Sequence, residues 1–172
     1  RAFATGEYLL SVTLGVPVFA FGYPVLDDQG EILCVLLTSV RLDRYGDLCV
    51  AQLTTAGMDR QREAVLAALR SVLNPAAVLW RNDSPMRELE GLAREVVVAA
   101  GSVPETVTVA EDGLCFQVAP LSGQKTGWFY DQRDNRARLD RYVAGRRVLD
   151  VFSYVGAWGV RAAARGARHR SR

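Results

Sequence analysis

The chain has 172 residues, 49% of them hydrophobic and 23% charged, with a formal net charge of +2. That length holds one good domain, or one small domain and part of another, and the composition excludes disordered and collagen-like classes. There is one histidine, His169, and the cysteines Cys34, Cys49 and Cys115 lie far apart, each in an apolar run. They read as buried, reduced thiols of a cytoplasmic protein, with no disulfide frame and no metal site expected. No signal peptide and no run of about 18 uncharged apolar residues is present, so no membrane partner is expected. The sequence starts at Arg1 rather than Met and reads as a piece of a longer protein.

Charge is distributed unevenly. Between Arg133 and Arg147 there are six arginines and two aspartates, and the last twelve residues add five arginines and no acid. A local basic face suits nucleic acid or phosphate; a solvated helix surface accounts for it equally well.

Residues 1–15 carry little signal. Two β-rich stretches, Val16 to Leu26 and Glu31 to Leu42, flank Asp27-Asp28-Gln29-Gly30, a hairpin pattern. Both stretches are apolar at nearly every position, so at least one strand is expected to be covered on both faces. A polar turn at 43–47 leads into the strand Leu48–Leu53. Asp59 is placed to cap the next helix, whose apolar face is Val65, Leu66, Leu69, Val72 and Leu73, with Asn74-Pro75 as its end. Ala77–Trp80 reads as a short strand, Ser84-Pro85 as a helix start and Gly91 as its stop. Thr106–Ala110 and Leu114–Ala119 form a second hairpin pattern around Glu111-Asp112-Gly113.

The remainder is organised around residues 123–156: a polar loop, a basic amphipathic helix, the apolar run Val148-Leu149-Asp150-Val151-Phe152, and a turn of small residues at Ser153, Gly156 and Gly159. A parallel α/β sheet commonly begins this way, with a turn where backbone can approach a ligand. Trp158, Val160 and the alanines at 162–164 suit a helix packing back on that sheet. The turn reads Ser-Tyr-Val-Gly-Ala-Trp-Gly and lacks G-x-G-x-x-G, which disfavours a nicotinamide-dependent enzyme.

Five motifs carry a resemblance. They are Asp43-Arg44-Tyr45-Gly46-Asp47, Gln52-Leu53-Thr54-Thr55-Ala56-Gly57, Arg87-Glu88-Leu89-Glu90-Gly91-Leu92, Gly123-Gln124-Lys125-Thr126-Gly127 with Asp131-Gln132-Arg133-Asp134-Asn135-Arg136, and Val148 through Gly156. Over residues 43–166 the chain resembles the RlmI-type class I methyltransferases, the 5-methylcytosine enzymes of 23S ribosomal RNA. The resemblance implies an α+β module followed by the first β-α unit of a Rossmann-like α/β methyltransferase domain. The implied divisions are 1–42, 43–120 and 121–172. It also implies S-adenosylmethionine as cofactor and large-subunit ribosomal RNA as partner, with methyl transfer most naturally to cytosine C5 and guanine N2 as the alternative. Residues 1–42 resemble, more distantly, part of a Cache-type sensor domain, which makes a non-enzymatic small-molecule sensor the competing reading.

By this resemblance the cofactor contacts are Lys125, Phe129, Asp131, Arg133, Asp150, Ser153, Tyr154 and Gly156. Chemically, Asp150 suits the cofactor's ammonium group, and Lys125 or Arg133 its carboxylate, Arg133 as a bidentate fork. Phe129 or Tyr130 can stack on the adenine, though Trp128, Phe129 and Tyr130 serve equally well as core aromatics. A carboxylate such as Asp150 at a strand end is also a common cap or turn acceptor. Arg136, Arg138 and Arg141 are expected to be solvated, with RNA phosphate contact as the sharper option. The family's later elements, a ribose-binding acid, an Asp-Pro-Pro loop and a nucleophilic cysteine, have no counterpart here, and Arg168-His169-Arg170-Ser171-Arg172 stands where an apolar strand is expected. No catalytic residue is therefore assigned. The chain is expected to be an inactive fragment whose residues 145–172, lacking neighbouring strands, order poorly.

Overall fold

The computed structural model describes the backbone of residues 8–13, 16–26 and 32–168, and side-chain environments over residues 40–168. The chain divides into two compact units, Arg1–Val103 and Pro104–Arg172. The division falls inside the segment 43–120 that the sequence groups as one module.

The first unit is a six-stranded sheet in simple sequence order, β1 (Tyr8–Thr13), β2 (Val16–Leu26), β3 (Ile32–Tyr45), β4 (Leu48–Gln52), β5 (Ala77–Asn82) and β6 (Glu95–Ala100). All neighbours are antiparallel except β4 and β5, where Cys49 faces Val78 and Val50 faces Leu79 in a parallel pair. A parallel pair needs a crossover, and α1 (Ala56–Arg60) with α2 (Arg62–Leu73) supplies it. The hairpin expected from Val16 to Leu42 is present as β2 paired with β3; its turn, and its expected burial before Val40, lie outside the described residues. Of the Cache-like segment 1–42 only these strand backbones are described, with side chains from Val40 onward. Strand β1 fills part of the signal-poor opening, and β6 forms where the sequence pattern marks no strand.

Burial concentrates where the pattern predicts. Val40, Leu42, Cys49, Ala51, Leu53, Val65, Leu69 and Val78 are fully buried in one cluster with Met58 and Trp80. Each large aliphatic side chain there stabilises the fold by roughly 1.5–3 kcal/mol relative to exposure. Of the expected α2 face, Val65 and Leu69 enter this core, whereas Val72 is half exposed. Asn74 ends the helix in the left-handed region, φ 43°. The expected Asp59 cap is corrected: Thr55 caps α1, its Oγ1 accepting from Met58 N at 3.3 Å. Asp59 instead accepts from Arg62 at 2.7 Å and Arg87 at 2.9 Å. Its carboxyl is pushed up by burial, but these two guanidinium groups hold it below the usual carboxylate range. Helix α3 (Met86–Leu89) starts after Ser84-Pro85, and Gly91 follows it at φ 72°.

The second unit opens with the expected hairpin, β7 (Val107–Glu111) and β8 (Leu114–Val118). Asp112 at φ 50° and Gly113 at φ 84° make its two-residue turn, the paired left-handed conformation that Asp-Gly favours. Alternation buries Val109, Phe116 and Val118 and turns Cys115 outward, so the expectation that every cysteine is buried fails at Cys115. Helix α4 (Arg133–Val143) realises the basic helix, and α5 (Ala157–Ala164) the small-residue helix.

The expected strand Val148–Phe152 is corrected: these residues form no ladder. Leu149 is 85% exposed and Phe152 96% exposed. A parallel strand is stable only when neighbours pair its backbone and helices cover both faces, and no described segment of this unit does either. Within residues 145–168 the backbone closes back on itself. Gly145 N donates to Gly166 O at 2.8 Å and Arg168 N to Arg146 O at 2.7 Å.

Candidate functional site

The loop Gly123–Phe129 is held against the turn 152–156. Gly123 N donates to Ala119 O at 2.7 Å and Gly127 N to Gln124 O at 2.9 Å, closing the Gln-Lys-Thr-Gly stretch on itself. Tyr154 Oη donates to Gly127 O at 3.2 Å, fastening the two loops together. A Cβ on Gly123 would lie 2.1 Å from that Oη, so the approach requires glycine. In the turn, Phe152 at φ 61° and Tyr154 at φ 50° adopt the left-handed conformation that non-glycine residues enter at a cost, and Gly156 at φ 74° precedes α5.

Between these loops lies a cavity of about 310 Å³. It is lined by Gln124, Trp128, Phe129, Gln132 and Arg136 on one side and by Phe152, Ser153, Tyr154, Val155, Ala157 and Trp158 on the other. Trp128 is 1% exposed, stacks on Phe116 at 4.8 Å between centroids, and its indole Nε1 is buried without an acceptor. A buried donor left unpaired costs about 1–3 kcal/mol unless something else accepts from it. Arg136 lies over the Trp128 ring at 4.6 Å. Its guanidinium forks onto Glu111 at 2.6 Å to each oxygen and donates to Phe129 O at 3.0 Å. Both partners are buried. The expectation that Arg136 is solvated is therefore corrected; its role is to hold β7 to α4 behind the cavity.

Of the eight expected contacts, three line the cavity: Phe129, Ser153 and Tyr154. Lys125 pairs with Asp131 and lies over the Phe129 ring at 4.9 Å, buttressing that ring. Burial raises the Asp131 carboxyl, yet the Lys125 ammonium holds it below its ordinary value. Arg133 points away from the cavity lining to Asp112, 2.8 Å from its carboxylate. Arg133 and Arg161 together lower Asp112 to about 2. Asp150 is a helix acceptor: its Oδ2 accepts from Gly159 N at 2.8 Å, in the first turn of α5. That is the cap role, and a Cβ on Gly159 would meet the same oxygen at 3.0 Å. Gly156 sets the turn and does not line the cavity.

Gln124, Gln132, Phe152 and Trp158 join the lining although the motif does not mark them as contacts. Trp158 has a signal: a large aromatic two residues after Gly156, at the start of a helix rich in alanine and glycine. A five-member charge network fixes the far side of the unit. Arg161 donates to Asp140 at 2.7 and 2.8 Å and to Asp112 at 2.6 Å, Arg165 reaches Asp140 at 3.2 Å, and Arg133 completes it. Asp140 and then Asp112 raise Arg161 well above its ordinary range, so it stays a cation at every accessible pH. Among the described residues no cluster of His, Cys, Asp or Glu could hold a metal ion, and no helix is long and apolar enough to cross a membrane.

Aromatic and apolar walls, two amides, two hydroxyls, the Arg136 guanidinium and an orphaned indole N–H suit a ligand with a flat heteroaromatic part and several polar acceptors. Residues 87–171 match the S-adenosylmethionine-dependent methyltransferase family. A ribosomal RNA large subunit methyltransferase I from Aeromonas salmonicida is 38% identical over 133 residues, which are 77% of this chain and 34% of that protein. A solved structure from Streptococcus mutans, provisionally a SAM-dependent methyltransferase, is similar with TM-score 0.62 and 27% identity, over 86% of this chain and 36% of that one. A second solved structure, a provisional methyltransferase complexed with SAH, has TM-score 0.62 and 30% identity, over 74% of this chain and 32% of that one. The chain thus spans about a third of the length of the curated relatives it matches. The likeness to these two solved methyltransferases accords with a Rossmann-like methyltransferase fold.

Proposed function

We propose that the cavity between residues 124–136 and 152–158 binds S-adenosylmethionine, and that the protein to which this chain belongs methylates a base of large-subunit ribosomal RNA, with cytosine C5 as the target atom. The single observation that supports the reading best is the orphaned, fully buried Trp128 N–H beside a cavity walled by Phe129, Phe152, Tyr154 and Trp158. The cofactor, when bound, supplies an electrophilic methyl group on a sulfonium.

What this chain's residues do follows from their chemistry. Aromatic faces at Phe129 and Trp158 attract a cationic sulfonium and stack on adenine, by about 0.5–2 kcal/mol per contact. Trp128 Nε1, Gln124 and Gln132 hydrogen-bond the polar edge, and the Ser153 hydroxyl holds a carboxylate or ribose oxygen. Lys125, Asp131 and Arg133 act through others, keeping Phe129 and the start of α4 in place. Asp150 stabilises the α5 turn rather than touching the ligand. The lining holds no Cys, His, Asp or Glu among the described residues. On that ground we propose that the 172 residues bind cofactor without transferring its methyl group.

The test is isothermal titration of the chain with S-adenosylhomocysteine, alongside assay with tritiated S-adenosylmethionine and ribosomal RNA. One ligand per chain, weakened by Trp158→Ala, and no label in RNA is the expected result. Absence of binding at millimolar ligand, or equal binding of an unrelated nucleotide such as ATP, contradicts the cofactor reading. Methyl transfer by the chain contradicts its inactivity.

A further inference from the structure

Helix α4 presents two faces of different chemistry. Gln132, just before its first residue, and Arg136 line the cavity. On the opposite face Arg138, Arg141 and Tyr142 follow one another at i, i+3 and i+4 spacing, which brings them into one stripe. All three are exposed, Tyr142 by 68%. Arg146 and Arg147, also exposed, follow shortly after the end of the helix, and the hydrogen bond from Arg168 N to Arg146 O brings the backbone of a fifth arginine beside them.

The pairing pattern separates these five from the other arginines of the unit. Arg133, Arg136, Arg161 and Arg165 each hold a carboxylate. Arg138, Arg141, Arg146, Arg147 and Arg168 hold none among the described residues. Asp134 is the single exposed acid on α4. Five guanidinium groups without a carboxylate partner among the described residues, on and just beyond a helix that exposes one tyrosine, are poorly explained by stability, because close cations repel one another and an exposed tyrosine buries little. They match a ligand that is itself a row of anions with flat rings attached. We propose that this surface holds the phosphate backbone of a single-stranded RNA segment, with Tyr142 stacking on one of its bases. The inference rests on the RNA methyltransferase reading and deepens it. The surface lies about one helix diameter, roughly 10 Å, from the cavity. It therefore anchors and orients the RNA and leaves selection of the target base to other groups.

Fluorescence anisotropy of the full 172-residue chain with a labelled RNA of about 20 nucleotides, single-stranded and then as duplex, tests this between about 50 and 200 mM salt. The wild-type chain is expected to prefer the single strand, with an affinity that falls steeply as salt rises. Replacing Arg138→Gln and Arg141→Gln together is expected to lower the log–log salt slope by about 1.4, since each phosphate left without its arginine removes roughly 0.7. The pair Arg146→Gln and Arg147→Gln, on a segment outside any helix, repeats the measurement with no helical side chain altered. Tyr142→Ala is expected to weaken single-strand binding about tenfold with the slope unchanged, since stacking is insensitive to salt. An unchanged slope in both double variants overturns the assignment, as does equal affinity for duplex with indifference to Tyr142→Ala. The titration with S-adenosylhomocysteine separates the two readings. RNA binding that depends on these arginines while the cofactor analogue fails to bind sustains the surface and removes the methyltransferase reading. The reverse removes only the surface.

Discussion

Tyr154 Oη donates to the carbonyl of Gly127 at 3.2 Å, spanning 27 residues of sequence to join the two loops that wall the cavity. The bond closes the site with one side chain that lines the cavity and one backbone group from the Gln-Lys-Thr-Gly loop. Tyr154→Phe removes it at a cost of about 0.5–1.5 kcal/mol, and affinity for S-adenosylhomocysteine is expected to fall by a comparable factor. Gly123→Ala is expected to be worse, because its methyl would lie 2.1 Å from the same oxygen and force the ring out of the site. Titration of both variants checks the order.

Behind the cavity, the Arg136–Glu111 fork is buried on both sides. Removing one partner of such a pair leaves an uncompensated buried charge, typically costing about 3–5 kcal/mol. Arg136→Met should therefore unfold at markedly lower urea, and Arg136→Met with Glu111→Leu should regain most of that stability. Denaturant melts of the single and double variants measure this coupling directly.

Asp112 gives the second unit a defined acid response. Its carboxyl lies at about 2, held down first by Arg133 and then by Arg161. A folded-state value below the unfolded one means stability that is complete above the unfolded value near 3.8 and is lost as pH falls towards 2. Asp140 and Asp131, both lowered, act in the same direction. Melting temperature against pH should drop through that window, and Asp112→Asn should flatten the drop while lowering the plateau above it.

In the first unit, Gly101 stands at φ 69°, and a Cβ there would lie 2.0 Å from the Ala76 carbonyl oxygen. Both the backbone conformation and the space demand glycine. Gly101→Ala is expected to destabilise that unit by more than about 1 kcal/mol, against about 1 kcal/mol for Thr55→Ala, which removes the α1 cap. Thermal melts of the two variants compare them.

Elements governed by local chemistry could be read from sequence. Asp112-Gly113 dictates the hairpin turn by itself, and the spacing of Val65 and Leu69 orients α2 without reference to anything distant. What depends on tertiary partners could not. The run Val148–Phe152 has the composition of a buried strand, yet a strand is a property of its neighbours, and among the described residues none pairs with it. Strand β6 is the opposite case: Val96, Val97 and Val98 form an edge strand that remains 38–46% exposed, so no alternation marks it. At the site, the motif marks the two loops that wall the cavity, but not all of its residues face it. Phe129, Ser153 and Tyr154 face the cavity, whereas Lys125, Arg133 and Asp150 find partners within the protein before any ligand arrives. Which of several cations pairs with which carboxylate is decided by three-dimensional distance, and the sequence holds no record of it.

The central claim, that the cofactor sits between these two loops, is met most directly by ultraviolet crosslinking of methyl-tritiated S-adenosylmethionine to the intact chain, followed by trypsin digestion. The account predicts label in the peptides Thr126–Arg133 and Val148–Arg161, which carry Trp128, Phe129, Tyr154 and Trp158, and disappearance of that label under excess S-adenosylhomocysteine. Label confined to peptides before residue 104, or undiminished by the competitor, would contradict it.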